Sequence, residues 1–200
     1  MPSAIASTSD GDMVRHGQTE VMTRTVALLR GVNVGGRKLS MAALRDGLTE
    51  AGCADVVTYI QSGNAVLTAP SSADSEPDAW LSSVISRIAG FDVAVVTRNA
   101  SELDAVVAGN PYPDAGGTQL HVVFHAVAPD PSIVASVQPD RFAPEACTLV
   151  GRDLYLFVPN GLGRAELPVA LDRAGRRAKA PAGTSRNWNT VLKLQEMLRE

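Results

Sequence analysis

Two short turns constrain this chain more than any other feature. Asp55 to Ile60 and Ala65 to Thr68 are β-branched or alternating runs separated only by Gln61-Ser62-Gly63-Asn64. Residues 146–150 and 153–158 flank Gly151-Arg152 in the same way. Gly and Asn tolerate the positive φ of a tight hairpin, so each pair of runs reads as two antiparallel strands joined directly. A doubly wound parallel sheet needs a crossover helix between such strands, and these turns are too short to hold one. The expected class is α+β with mostly antiparallel sheets.

The flanking segments extend this to a whole unit. Thr25 to Arg30 is a short apolar run that stops at Gly31 and reads as a buried strand. Ser40 is a fitting cap for a helix over about 41–51, with Met41, Leu44 and Leu48 on one face and a stop at Gly52. A polar loop over 70–78 feeds a helix around Ala79–Ala89, and Phe91 to Thr97 returns as a strand. The order β-α-β-β-α-β is that of a ferredoxin-like split βαβ unit. After a short helix near Ser101–Ala108, much of the order recurs: a strand at Leu120–Val127, a helix at Ser132–Val137, the second hairpin, and helices near Leu162–Ala174 and Asn187–Arg199. Two ferredoxin-like units packed together, over residues 23–98 and 99–200, are the predicted architecture. Residues 1–22 have no periodicity and no apolar core of an export signal, and read as a disordered extension, an artefact of an upstream start codon, with Met22 as the expected true start. No apolar run approaches the roughly 18 residues that span a bilayer. Cys53 and Cys147 share no redox or zinc spacing, which points to a cytoplasmic protein with reduced thiols.

Charge is distributed unevenly. The net −3 divides into six Lys/Arg against three Asp/Glu over residues 1–45, four against fourteen over 46–159, and eight against four over 160–200. A basic face built from the two ends would suit phosphate or another anion. The loop Gly31-Val-Asn33-Val-Gly35-Gly36-Arg37-Lys38 lets backbone approach a ligand beside Arg30 and next to a helix N-terminus. It fits neither a dinucleotide fingerprint nor a phosphate loop, so no cofactor is expected. Gln61, Ser62 and Asn64 place polar side chains on a hairpin tip, where Ser62 lacks the geometry of a nucleophile elbow. Gly183-Thr-Ser-Arg186-Asn187-Trp188-Asn189-Thr190 opens the last helix, with Thr184 or Ser185 as its cap. His121 and His125 stand about 13 Å apart along an extended strand, too far to share a metal, and no metal site is expected.

The phrases Ala27-Leu-Leu-Arg30-Gly31-Val-Asn33-Val-Gly35-Gly36, Tyr59-Ile-Gln61-Ser62-Gly63-Asn64 and Thr184-Ser-Arg186-Asn187-Trp188-Asn189-Thr190-Val-Leu-Lys193-Leu, in this order, resemble the bacterial domain-of-unknown-function family 1697. The resemblance spans about residues 24–198 and includes Asn110-Pro-Tyr112, the hairpin before Leu154-Tyr-Leu156, and Gly161-Leu-Gly-Arg164. Where the family commonly carries Ser-Lys after that arginine, this chain has Ala165-Glu166. The resemblance implies two ferredoxin-like units in a cytoplasmic protein and supplies no catalytic residue.

The favoured expectation is a binding protein whose loops 30–38, 61–64 and 184–190 converge on a phosphate-bearing small molecule or other anion. Its site residues would be Arg30, Asn33, Gly35, Gly36, Gln61, Ser62, Asn64, Arg186, Asn187, Trp188 and Asn189. Three alternatives stay open. One is a structural or oligomerisation role in which these residues stitch the halves together. Another is an enzyme acting on a phosphoester or acyl substrate with Arg30 or Arg186 as a clamp. The third is binding of a nucleic-acid end, ranked lower because the first unit's central strands lack stacking aromatics and the pI is about 5.6.

Overall fold

A computed structural model describes residues 23–73 and 75–200. The expectations for residues 1–22 lie outside the described residues. The first sheet holds β1 (Arg24–Leu29), β2 (Ala54–Tyr59), β3 (Asn64–Thr68) and β4 (Val95–Asn99), in the order β2-β3-β1-β4 and antiparallel throughout. The second holds β5 (Leu120–Phe124), β6 (Ala146–Val150), β7 (Asp153–Phe157) and β8 (Thr184–Asn187), in the order β6-β7-β5-β8, again antiparallel. The α+β class and both hairpins are as the turn residues require.

Side-chain alternation sorts the apolar residues into three cores. On the first sheet Ala27, Leu29, Ala65, Leu67 and Val95 face outward onto α1 (Met41–Glu50) and α2 (Pro77–Ala89), which contribute Leu44, Leu48, Leu81 and Ile85. Val26, Leu28, Val66 and Val96 face inward. They share one core with Leu120, Val122, Phe124 and Tyr155 of the second sheet, closed by α3 (Ala100–Ala108) and α6 (Trp188–Met197). The outer face of the second sheet presents Val123, Leu154 and Leu156 to α4 (Pro131–Val137) and α5 (Leu167–Arg177). β1 is buried on both faces, which is why its sequence is a continuous apolar run.

Several boundaries differ from the sequence expectations, and the strand expected to run to Val127 ends at Phe124. The helix expected from Leu162 begins at Leu167, after a single 3-10 turn at Leu162–Arg164. The carboxylate of Glu145 accepts the orphan amides of Glu166 and Leu167 at its start. Thr184 and Ser185 do not cap the last helix. They belong to β8, and Asn187 is the cap, accepting from the Thr190 amide at 2.9 Å. Phe91 also precedes its strand, which starts only at Val95.

The register relates the halves residue by residue. Val26 pairs with Arg98 as Val122 pairs with Arg186, Thr25 with Asn99 as His121 with Asn187, and Leu28 with Asn64 as Phe124 with Asp153. Thr97-Arg98-Asn99 thus corresponds to Ser185-Arg186-Asn187, and each asparagine caps the helix that follows. Both arginines reach across to the other half. Arg98 Nη2 donates to Asp153 at 2.6 Å and to the His125 carbonyl at 3.0 Å, with its guanidinium 5.4 Å from the Phe124 ring centroid. Arg186 donates to Asn64 and to the Leu29 carbonyl, the matching partners in the first half. Arg98 is 1% exposed, so removing its partner leaves a buried cation uncompensated. Asp153→Ala should cost about 3–5 kcal/mol. Asp153→Asn, which keeps an acceptor oxygen, should cost less, as equilibrium urea unfolding of the two variants would measure.

Candidate functional site

The three motif loops meet around the end of β1. Asn33 adopts φ 56°, and its side chain is fully used: Nδ2 donates to the carbonyls of Gln61 at 2.7 Å and Leu39 at 3.0 Å, while Oδ1 accepts from the Leu39 amide at 2.9 Å. This ties the glycine loop to the hairpin tip. Gly63, at φ 80°, lies so close to Leu29 that an added Cβ would sit 2.8 Å from the Leu29 Cβ, so this turn requires glycine. From the other half, Arg30 Nε donates to the Gly183 carbonyl at 3.0 Å. Gly183 is pinned in turn, because a Cβ there would stand 2.5 Å from Val123 Cγ1 and 2.8 Å from His125 Nε2.

Arg186 lies beneath this junction, 6% exposed. Its five N–H directions are all taken: Nε by Asn64 Oδ1, Nη1 by Thr184 Oγ1 and the Ser185 carbonyl at 2.8 Å each, and Nη2 by the carbonyls of Leu29 and Gly63 at 2.8 Å each. None of these partners is a carboxylate, and burial pushes the guanidinium down to about 10, still a cation at neutral pH. Asn64 is committed as well, donating to the Tyr59 carbonyl at 3.0 Å and to Ser62 Oγ at 3.1 Å. Neither residue has a hydrogen-bonding group left for a ligand.

The groove above them has a volume of about 460 Å³ and is lined by Leu29 to Val34, Gln61, Ser62 and Gly183 to Arg186. Arg30, Asn33, Gln61, Ser62 and Arg186 are thus brought together, with Asn64 behind them. Gly35 and Gly36 lie in a separate turn closed between Val34 and Arg37 and do not line the groove. Nor do Asn187, Trp188 and Asn189. Asn187 caps α6, Trp188 packs on the central core, and the Asn189 amide donates to the Gly117 carbonyl at 3.3 Å. Arg30 is exposed, and among the described residues only its Nε is bonded, which leaves both terminal nitrogens for a ligand.

A second cavity of about 530 Å³ shares Arg30, Gly183 and Ser185 with the groove and runs under α4 and α5. His125 lines it, with Nδ1 3.3 Å from the Arg152 carbonyl, so the neutral ring carries its proton on Nδ1. Sequence reading missed Arg98 and weighed His125 only as half of a metal pair. The available signal was the echo of Thr97-Arg98-Asn99 in Ser185-Arg186-Asn187. Among the described residues no cluster of His, Cys, Asp and Glu is placed to hold a metal ion, and no helix is long and apolar enough to cross a membrane.

Burial holds both His121 and His125 below the ordinary imidazole value of 6.5. The unfolded chain therefore takes up protons first as pH falls through about 6.5, so stability declines with acidification below that point. The urea midpoint should be level from pH 8 to 7 and fall between pH 6.5 and 5, and His125→Gln should flatten that slope.

A family model described as protein of unknown function (DUF1697) matches residues 22–155. No curated protein matches the chain. Among solved structures, a conserved bacterial protein from Streptococcus pneumoniae matches at 22% identity and a TM-score of 0.63, covering 90% of this chain and 99% of the other. That likeness concerns the fold alone.

Proposed function

The chain belongs to the DUF1697 family of proteins of unknown function, and from that premise we propose that it binds a phosphate-bearing small molecule or another small anion in the groove between residues 30–34, 61–62 and 183–186. One observation carries this reading: the two related poles differ in charge. At one pole Arg98 is neutralised by Asp153, whereas at the other Arg186 faces the neutral amide of Asn64. The groove above Arg186 therefore sits over an uncompensated buried cation, where low dielectric strengthens its field. Arg30 adds a second charge at the surface, with a planar fork suited to an oxyanion. Arg30 would contact the anion directly, and Arg186 would act through its field while holding the loops in place.

The groove lining contains no carboxylate and no imidazole among the described residues. An enzymatic reading therefore has no acid or base there, and binding is the better-supported role. The strand order shared by the two sheets supports reading each half as a ferredoxin-like unit. The unpaired thiols of Cys53 and Cys147 support a cytoplasmic setting.

A thermal-shift titration at low salt with inorganic phosphate, sugar phosphates and nucleotides tests the proposal. A ligand at about 100 times its Kd adds about 2.7 kcal/mol, which corresponds to roughly 5–10 °C for a chain of this size. Arg30→Ala should abolish the shift while lowering the ligand-free Tm by only a few degrees, the loss of its bond to the Gly183 carbonyl. Asn64→Asp, which places a carboxylate against Arg186, should weaken binding about tenfold or more. Equal shifts in wild type and Arg30→Ala, or none with any anion, would remove the proposal.

A further inference from the structure

The two halves are unequal in how well their outer sheet faces are covered. In the first half α1 and α2, of 10 and 13 residues, drive Leu44, Leu48, Leu81 and Ile85 into the sheet, backed by Trp80, Ile88 and Phe91. The corresponding layer of the second half is thin. α4 has 7 residues and buries none of them, and α5 buries only Leu167 and Leu171. The segment that follows, Ala178-Lys-Ala-Pro-Ala-Gly183, brings small side chains where bulk would be needed to fill the space. The result is the cavity of about 530 Å³ whose walls include Val123, Val134, Leu154 and Leu156. Protein interiors are packed nearly without voids, and an apolar cavity left unfilled costs stability in proportion to its size. A space of this volume, apolar on its walls and polar at its rim, has the dimensions of a small-molecule pocket.

Its rim defines the occupant. Arg30 and Gly183 belong to both the cavity and the groove, so the two spaces join at an exposed arginine whose terminal nitrogens are unbonded. Asp172 and Arg176, the other two charged side chains of the lining, pair with each other one turn apart on α5. A molecule placed with its charged group on Arg30 would direct the rest of itself under α4 and α5 rather than into water. We propose that the ligand is an amphipathic anion, a carboxylate or phosphate monoester bearing an unbranched or aromatic hydrocarbon body, with the headgroup on Arg30 and the body in the cavity against Val123, Leu154 and Leu156. This rests on the anion-binding reading of the groove and adds the class of molecule that the site takes.

The test uses two series on the full chain: butyrate, hexanoate and octanoate with the matching alkyl phosphates, and the matching uncharged alcohols, each titrated by calorimetry or thermal shift. Each added methylene should tighten binding about fourfold until the cavity is filled, and the alcohols should bind at least tenfold more weakly than the anions. Ile133→Trp, which fills the cavity from α4, should abolish the chain-length dependence while inorganic phosphate still binds. Anion binding with no dependence on chain length would overturn the cavity proposal and leave the groove reading standing. Chain-length dependence that is equal for alcohols and anions, and indifferent to Arg30→Ala, would overturn the groove reading and with it the amphipathic ligand. Should Ile133→Trp fail to fold, the wild-type chain-length series decides the question alone.

Discussion

The molecule depends on a reciprocal exchange of two arginines. Each half closes its sheet with a strand whose penultimate residue is an arginine aimed at the other half. It lands on the residue that opens the other half's hairpin-return strand and on the carbonyl at the end of the other half's first strand. A buried guanidinium is tolerable only when acceptors meet most of its donors, as they do all five of Arg186 and the terminal nitrogens of Arg98, whose Nε stays unpaired. Those acceptors exist only if the two sheets are in register, so satisfying the arginines and docking the halves are the same event. The motif residues at Asn33, Gly63 and Asn64 then follow as the framework that keeps the acceptors in place.

Breaking this symmetry creates the candidate site. Asp153 and Asn64 occupy equivalent positions, and replacing a carboxylate by an amide preserves the hydrogen-bond geometry while removing one negative charge. The same pole carries Arg30 where the other half has Ala126. Two side-chain differences between related halves therefore suffice to turn a neutral structural junction into a positive one. The thin helical layer of the second half is a third difference, and it lies on the same side of the molecule as Arg30.

Much of the architecture was legible because it rests on local physics. The turn at residues 61–64 enforces an antiparallel pair, Ser40 marks the start of α1, and the apolar spacing in α1 and α2 marks the faces they bury. β8 was not legible. Its four residues Thr-Ser-Arg-Asn are polar and read as a helix cap, and only pairing with β5 makes them a strand. The site was legible in outline, since the three loops do meet, but the roles within it were not. Asn33, Asn64 and Arg186 look like ligand groups in sequence because polar residues clustered near glycines suit recognition as well as they suit loop bracing. Their partners lie as far as 157 residues along the chain, beyond what local pattern reading reaches.

The crossing of Arg186 into the first half also bears on how the chain is made. The carbonyls of Leu29 and Gly63 and the amide of Asn64 are synthesised early, yet their buried partner sits in the last strand, just ahead of the final helix. On a growing chain the first sheet can pair its strands but cannot complete its inner face. Long-range closure of this kind slows folding and leaves apolar surface exposed in the interval. Synthesis through Arg186 must precede the step that makes the first half native, so the two halves mature together although one emerges well before the other.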